Sequence, residues 1–194
     1  MNQINRSHYL KTGIQILTAL LIILYPFIVF LGLKHWSINT IAPLLLIIFT
    51  LRFFLIKNKL AVLAWFSKAV TFFVFILVLL GWILKNNGLL LFYPVTMNAI
   101  MLTLFAYSLW RPPSVIERLA RLQEPDLPEE GVQYTKKVTF IWCLFFIING
   151  SIALWTCLQN NIELWTLYNG AISYILMGLL FAGEWIVRKW VQAK

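Results

Sequence analysis

Residues 138–158 read VTFIWCLFFIINGSIALWTCL, 21 residues without a charge, and two lysines, Lys136 and Lys137, stand immediately before them. Coiled as an α-helix the run would be about 31 Å long at 1.5 Å per residue, which matches the hydrocarbon core of a bilayer. Its composition and flanks identify a membrane span, and they set the test for the rest of the chain.

Working outward, apolar runs of similar length recur. Six spans are expected: Thr12–Leu33, Ile38–Ile56, Ala61–Leu84, Gly88–Trp110, Val138–Leu158 and Leu164–Val187. The first follows Arg6, His8 and Lys11, but it is too long for a signal-peptide core and no small-x-small cleavage site follows it, so it reads as a retained helix. The second is the shortest in uninterrupted apolar length. The whole chain has the composition such a reading needs. Of 194 residues, 61% are hydrophobic and only 12% are charged. A soluble globule this small cannot hide that much apolar surface. The expected fold class is therefore all-α, a single polytopic membrane domain with one short amphipathic cytoplasmic helix.

The formal net charge of +9 has its meaning within that topology. With a cytoplasmic start, six spans put fourteen of the sixteen Lys and Arg inside and leave only Lys34 and Lys85 outside. Dropping the second span would move the basic loop 111–137 to the side opposite the N-terminus, against the positive-inside rule. The expectation is a multi-pass membrane protein with both termini in the cytoplasm, its positive charge marking orientation and not nucleic-acid binding. Trp36, Trp82, Trp110, Trp142, Trp155, Trp165 and Trp185 fall near the proposed span ends, where tryptophan favours the interface.

The one sizeable extramembrane piece is 111–137. Arg111-Pro112-Pro113 stops the fourth span, because proline cannot continue a helix. Ser114-Val115-Ile116-Glu117 then has the pattern of a capping box. Val115, Leu119 and Leu122 recur at helical spacing with Ile116 beside them, which predicts a short amphipathic helix over 114–123, ended by Pro125 and Pro128. Its apolar side is expected in the headgroup region, with Arg118 and Arg121 reaching lipid phosphates. The loop is either a connector pinned to the membrane surface or a docking face for a cytoplasmic enzyme or a phosphorylated lipid. Arg111, Lys136 and Lys137 extend its basic face, and Glu124, Asp126, Glu129 and Glu130 keep it soluble.

Inside the spans the polar residues are few. Asn149 sits in mid-span, and Asn169, Ser173 and Glu184 fall within about 60° of one another on the sixth helix. They either hold the spans together or form a pocket for a lipid headgroup or carrier. Glu184 and Arg188, four apart, predict an ion pair near the cytoplasmic surface. A proton-coupled transporter would be expected to carry an acid or histidine near mid-membrane, and none is present. His8 and His35 fall on opposite sides of the membrane and cannot share a site. Cys143 and Cys157 lie about 21 Å apart along one helix, too far to bond to each other. No metal, phosphate-loop, nucleophile-elbow or other cofactor motif occurs.

The second half then carries a resemblance. Trp110-Arg111-Pro112-Pro113, Ser114 to Leu122, Leu127-Pro128, Tyr134 to Thr139, Ile141-Trp142-Cys143, Phe145-Phe146, Asn149-Gly150, Trp165 to Gly170, Ser173-Tyr174 and Gly183-Glu184-Trp185 resemble a family of uncharacterised bacterial inner-membrane proteins. Members are often encoded in clusters for aryl-polyene lipid pigments, beside acyl-carrier proteins and ketosynthases. The resemblance covers about residues 92–188. More distantly, the order proline-x-Ile-x-Arg, Leu-Pro, Lys, Trp, Phe-Phe-Ile, Gly is similar to the YciB/septation protein A family, linked to cell division and envelope integrity. Neither family implies a catalytic residue. The resemblance mainly supports the location; with the polar residues of spans four to six beside the amphipathic loop, the expected role is a non-enzymatic accessory or scaffold in envelope-lipid or aryl-polyene biogenesis or envelope maintenance, with the bilayer, an anionic lipid or lipid carrier, and cytoplasmic lipid-biosynthetic or division proteins as partners. A lipid or small-molecule transporter, or a membrane enzyme acting on an acyl or prenyl lipid, are the alternatives.

Overall fold

The computed structural model describes residues 31, 38–55 and 61–192. The first expected span, both histidines, Trp36 and Lys34 lie outside the described residues. Among those described, every regular element is helical and no strand occurs. In chain order they are α1 (Ile38–Leu55), α2 (Ala61–Ile83), a 3-10 segment (Asn87–Phe92), α3 (Tyr93–Trp110), α4 (Val115–Ala120), α5 (Glu129–Leu158), α6 (Ile162–Leu167), a π-turn (Tyr168–Ile172) and α7 (Ser173–Gln192).

Among the described residues, three helical stretches are long and apolar enough to cross a membrane: Gly88–Trp110, Glu129–Leu158 and Ile162–Lys189. That is fewer than the six expected. The expected second span is helical as α1, whose 18 residues include Pro43 and Arg52. The expected third is helical as α2, which runs Ala61–Ile83. The fourth span has the expected bounds. The fifth begins nine residues earlier than the apolar run, because Pro128 opens the helix and Glu129 and Glu130 suit its positive N-terminal end. A charged segment outside hydrocarbon can continue a helix, so Lys136 and Lys137 lie on α5 and not in a loop.

The chain divides into two compact units. The described residues up to Tyr93, with Thr156–Gly170, form the first; Pro94–Trp155 and the described residues from Ala171 form the second. In the first, α1 packs on α2. The buried residues keep a helical period, Ala42, Leu45 and Phe49 on α1 and Val70, Val74 and Val78 on α2. The Lys68 ammonium lies 5.8 Å from the Phe53 ring centroid, which gives a cation in this apolar setting a partner. Within the same unit Leu91 O accepts from Trp165 Nε1 at 2.9 Å and from Cys157 Sγ at 3.0 Å.

The second unit is built around aromatic packing. Phe105 of α3, Val115 of α4 and Val138, Trp142, Cys143 and Phe146 of α5 form its buried core. Phe105 and Phe146 meet edge to face at 5.2 Å, and Trp142 reaches Phe181 of α7 at 4.5 Å. Two expected interface tryptophans are therefore core residues: Trp142 is 4% exposed and Trp165 0%. Trp142 is buried because its face of α5 meets Phe105 of α3 and Phe181 of α7. Trp82, Trp110, Trp155 and Trp185 are exposed, as an interfacial role requires. Ile175, Leu176, Leu179, Phe181, Ile186 and Val187 of α7 are exposed as well. A contiguous apolar surface of this extent suits hydrocarbon and not water.

Candidate functional site

The loop after α3 is a folded cap. Arg111 N makes the last helical bond, to Tyr107 O at 2.8 Å, and the two prolines that follow offer no N–H. The Arg111 guanidinium stacks 5.1 Å from the Trp110 ring. Both halves of the capping box are made: Ser114 Oγ accepts from Glu117 N at 3.2 Å, and Glu117 Oε2 accepts from Ser114 N at 3.4 Å. Ser108, on α3, accepts from Val115 N at 3.0 Å while donating to Phe105 O at 2.7 Å. This buried hydroxyl ties the start of α4 to the preceding helix.

The α4 helix is shorter than expected, six residues with a turn through Gln123. Its apolar side is also divided. Val115 is buried in the protein core and Ile116 packs against that core, while Leu119 and Leu122 are exposed. The arginines expected to reach for lipid are engaged by the loop itself. Arg118 Nε donates to Pro113 O at 2.8 Å. Arg121 donates from Nε and Nη2 to Glu117 Oε1, at 3.0 and 2.9 Å, and from Nη1 to Pro125 O at 3.0 Å. The reason is local geometry: Glu117 and Arg121 are four apart on one turn, with the acid on the N-terminal side. That spacing was visible in the sequence. The Ser108 contact, seven residues from its partner, had no local signal.

Pro112, Pro113, Glu117, Arg121, Val132 and Lys136 line an open depression of about 370 Å³. Glu117 faces it already neutralised by Arg121. Lys136 has no ion-pair partner among the described residues. Residues 111–137 hold five basic and five acidic side chains, so the loop is neutral in sum, but the signs are separated along it. Glu124, Asp126, Glu129 and Glu130 are exposed in its middle, while Lys136 and Lys137 lie about 10 Å further along α5 from Glu129. Lys137 is exposed and does not line the depression.

The polar residues within the spans are engaged in pairs. In the second unit Asn149 Nδ2 donates to Asn98 Oδ1 at 3.0 Å, and Asn98 Nδ2 donates to Pro94 O at 2.8 Å. Gly150 makes that approach possible, since a Cβ there would stand 3.0 Å from Asn98 Cβ. In the first unit Asn169, in the π-turn, donates from Nδ2 to Thr156 Oγ1 at 3.1 Å and to Trp165 O at 2.9 Å. Ser173 is buried at the start of α7, in the second unit. Glu184 makes its expected ion pair, Oε1 to Arg188 Nε at 3.8 Å, and accepts from the Tyr134 hydroxyl at 3.4 Å. The nine sequence-selected residues thus fall into separate places: Arg121 and Lys136 share the depression, Arg111, Arg118 and Lys137 surround it in sequence, and Asn149, Asn169, Ser173 and Glu184 lie along the helices. Among the described residues no group of three His, Cys, Asp or Glu gathers to hold a metal ion.

No family model matches the chain, and no curated protein or solved structure matches it.

Proposed function

We propose that this chain is a six-span bacterial inner-membrane protein with both termini cytoplasmic, acting as a non-enzymatic accessory or scaffold in envelope-lipid or aryl-polyene biogenesis. The observation that carries the scaffold reading is the 111–137 loop. It is held against the helix bundle of its own unit by Ser108, the capping box and the Glu117–Arg121 pair, so it offers a fixed surface. A mobile connector would need none of these bonds. The fourteen-to-two distribution of Lys and Arg supports the orientation, and the three long apolar helices support insertion. The aryl-polyene element rests on the resemblance of residues 92–188 alone. A transporter would need polar side chains free to meet its solute within the spans. The side-chain amide nitrogens of Asn149 and Asn169 donate to neighbouring protein atoms instead, which favours the scaffold.

The test is the lipid composition of membranes from cells with and without the protein. A changed proportion of one lipid class in its absence is the expected result, and identical extracts would remove the lipid reading. Reporter fusions at the C-terminus check the topology: an outward C-terminus would exclude six spans begun in the cytoplasm.

A further inference from the structure

We infer that the depression between the Pro112-Pro113 turn, α4 and α5 is a binding site for a phosphate-bearing headgroup, with Lys136 as its free cation and Arg121 as a second, preoriented donor. The argument is one of unmatched donors. The Glu117 carboxylate already accepts three bonds, two from Arg121 and one from Ser114 N. Arg121 has five N–H groups and uses three of them, leaving one hydrogen on each terminal nitrogen. Lys136 brings three more, with no acceptor among the described residues. The other walls, Pro112, Pro113 and Val132, are apolar and supply no side-chain acceptor. A site with surplus cationic donors takes an anion that is acceptor only, and the volume of about 370 Å³ falls within the usual range of small-ligand sites.

Position selects phosphate among anions. Lys136 precedes the uncharged run that starts at Val138 by two residues, about 3 Å along the axis, so it stands at headgroup level where phosphates are the resident anions. On α5 the exposed acids Glu129 and Glu130 lie six to seven residues, about 10 Å, back along the axis from Lys136. The inference rests on the proposed membrane placement of the loop. A soluble phosphate compound presents the same chemistry as a lipid headgroup, and the experiment separates the two.

The full chain is purified in detergent with phosphatidylglycerol or phosphatidylcholine added, and retained lipid is counted by native mass spectrometry. The wild type is expected to retain one phosphatidylglycerol in preference to phosphatidylcholine. Lys136→Gln should lower that retention about tenfold, the worth of a lost charge-assisted bond. Val132→Trp, which fills the depression and leaves every charge in place, should lower it similarly, while Lys137→Gln stays within about twofold. Wild-type retention in Lys136→Gln or Val132→Trp would overturn the site, and so would an equal loss in Lys137→Gln, which marks general charge attraction. Displacement of the lipid by millimolar inorganic phosphate supports the site with the free phosphate group as its ligand; retention against phosphate supports it with the lipid as its ligand. Elution volume and thermal midpoint verify that each variant is folded. An outward C-terminal reporter would remove the proposed topology without altering this lipid count, so the two failures are distinct.

Discussion

The polar contacts of the loop and those of the spans solve the same problem with different chemistry. Around α4 the groups are ionic and overlapping: Glu117 serves Ser114 and Arg121 at once, and Arg121 continues to Pro125. Along the spans, apart from the Glu184–Arg188 pair near the end of α7, they are neutral and short: Asn98 with Asn149, Asn169 with Thr156, and hydroxyls such as Thr139 returning to the carbonyl four residues back. The difference follows from the surroundings. A charge in hydrocarbon costs several times what an amide costs, whereas at the membrane edge water and headgroups share the load. It also locates function. The amides are matched to protein partners, but the loop keeps a cation, Lys136, without an ion-pair partner among the described residues. The two regions can be set against each other by substitution.

The largest effect is expected inside the span. Gly150→Leu drives a branched side chain toward Asn98, where even a Cβ would be 3.0 Å from its neighbour. Overpacking of this kind costs about 3 kcal/mol and should separate α3 from α5 together with the Asn98–Asn149 bond. A thermal midpoint of detergent-purified protein several degrees below wild type is the expected reading. An unchanged midpoint would show that these helices do not need the glycine. Second in size is the loop. Glu117→Ala leaves Arg121 and Ser114 N without their acceptor and should cost about 2 kcal/mol, with new proteolytic cleavage confined to 111–128. Cleavage appearing equally in the spans would mean that the loop and the bundle of its unit are one cooperative element.

The sequence carried these two regions unequally. Gly88–Trp110 was legible to the residue, because hydropathy marks its start and Arg111-Pro112-Pro113 its end. The capping box was legible for the same local reason: its partners are three residues apart. Periodicity also showed that Asn149 and Gly150 were polar or small on an apolar helix. It could not show that Asn98 was their partner, since a hydropathy pattern gives the face of a helix and not the neighbour that face meets. Trp142 misled for a related reason. Its place near the start of an apolar run suggested an interface anchor, but its face of α5 meets Phe105 and Phe181 in the aromatic core. In the depression, every lining residue but Val132 had been noted, and what was not legible was that Lys136 would have no ion-pair partner among the described residues.

A smaller effect is expected from removing single amides. Asn149→Ala and Asn169→Ala each lose interhelical bonding of about 0.6–2 kcal/mol. Asn149→Ala should be the milder beside Gly150→Leu, because it deletes a bond without adding volume. A loss for Asn149→Ala as large as that for Gly150→Leu would mean that the hydrogen bond, and not the close approach, holds α3 to α5.

The smallest effect on stability belongs to Lys136, and that smallness sharpens the comparison most. Its side chain is exposed and no ion pair holds it among the described residues. Lys136→Gln should therefore shift the folding free energy by no more than about 0.5 kcal/mol, the range of an uncommitted surface position. Glu117→Ala and Lys136→Gln change groups in the same depression, yet only the first is expected to lower the thermal midpoint. If Lys136→Gln destabilised the lipid-free protein as much as Glu117→Ala, the lysine would be part of the loop's own bonding, as Arg118 and Arg121 are, and the depression would lose its one cation free for a ligand. If the midpoint holds in lipid-free detergent and falls only when phosphatidylglycerol is present for both proteins, the difference measures binding directly, since a ligand stabilises the folded state in proportion to its occupancy.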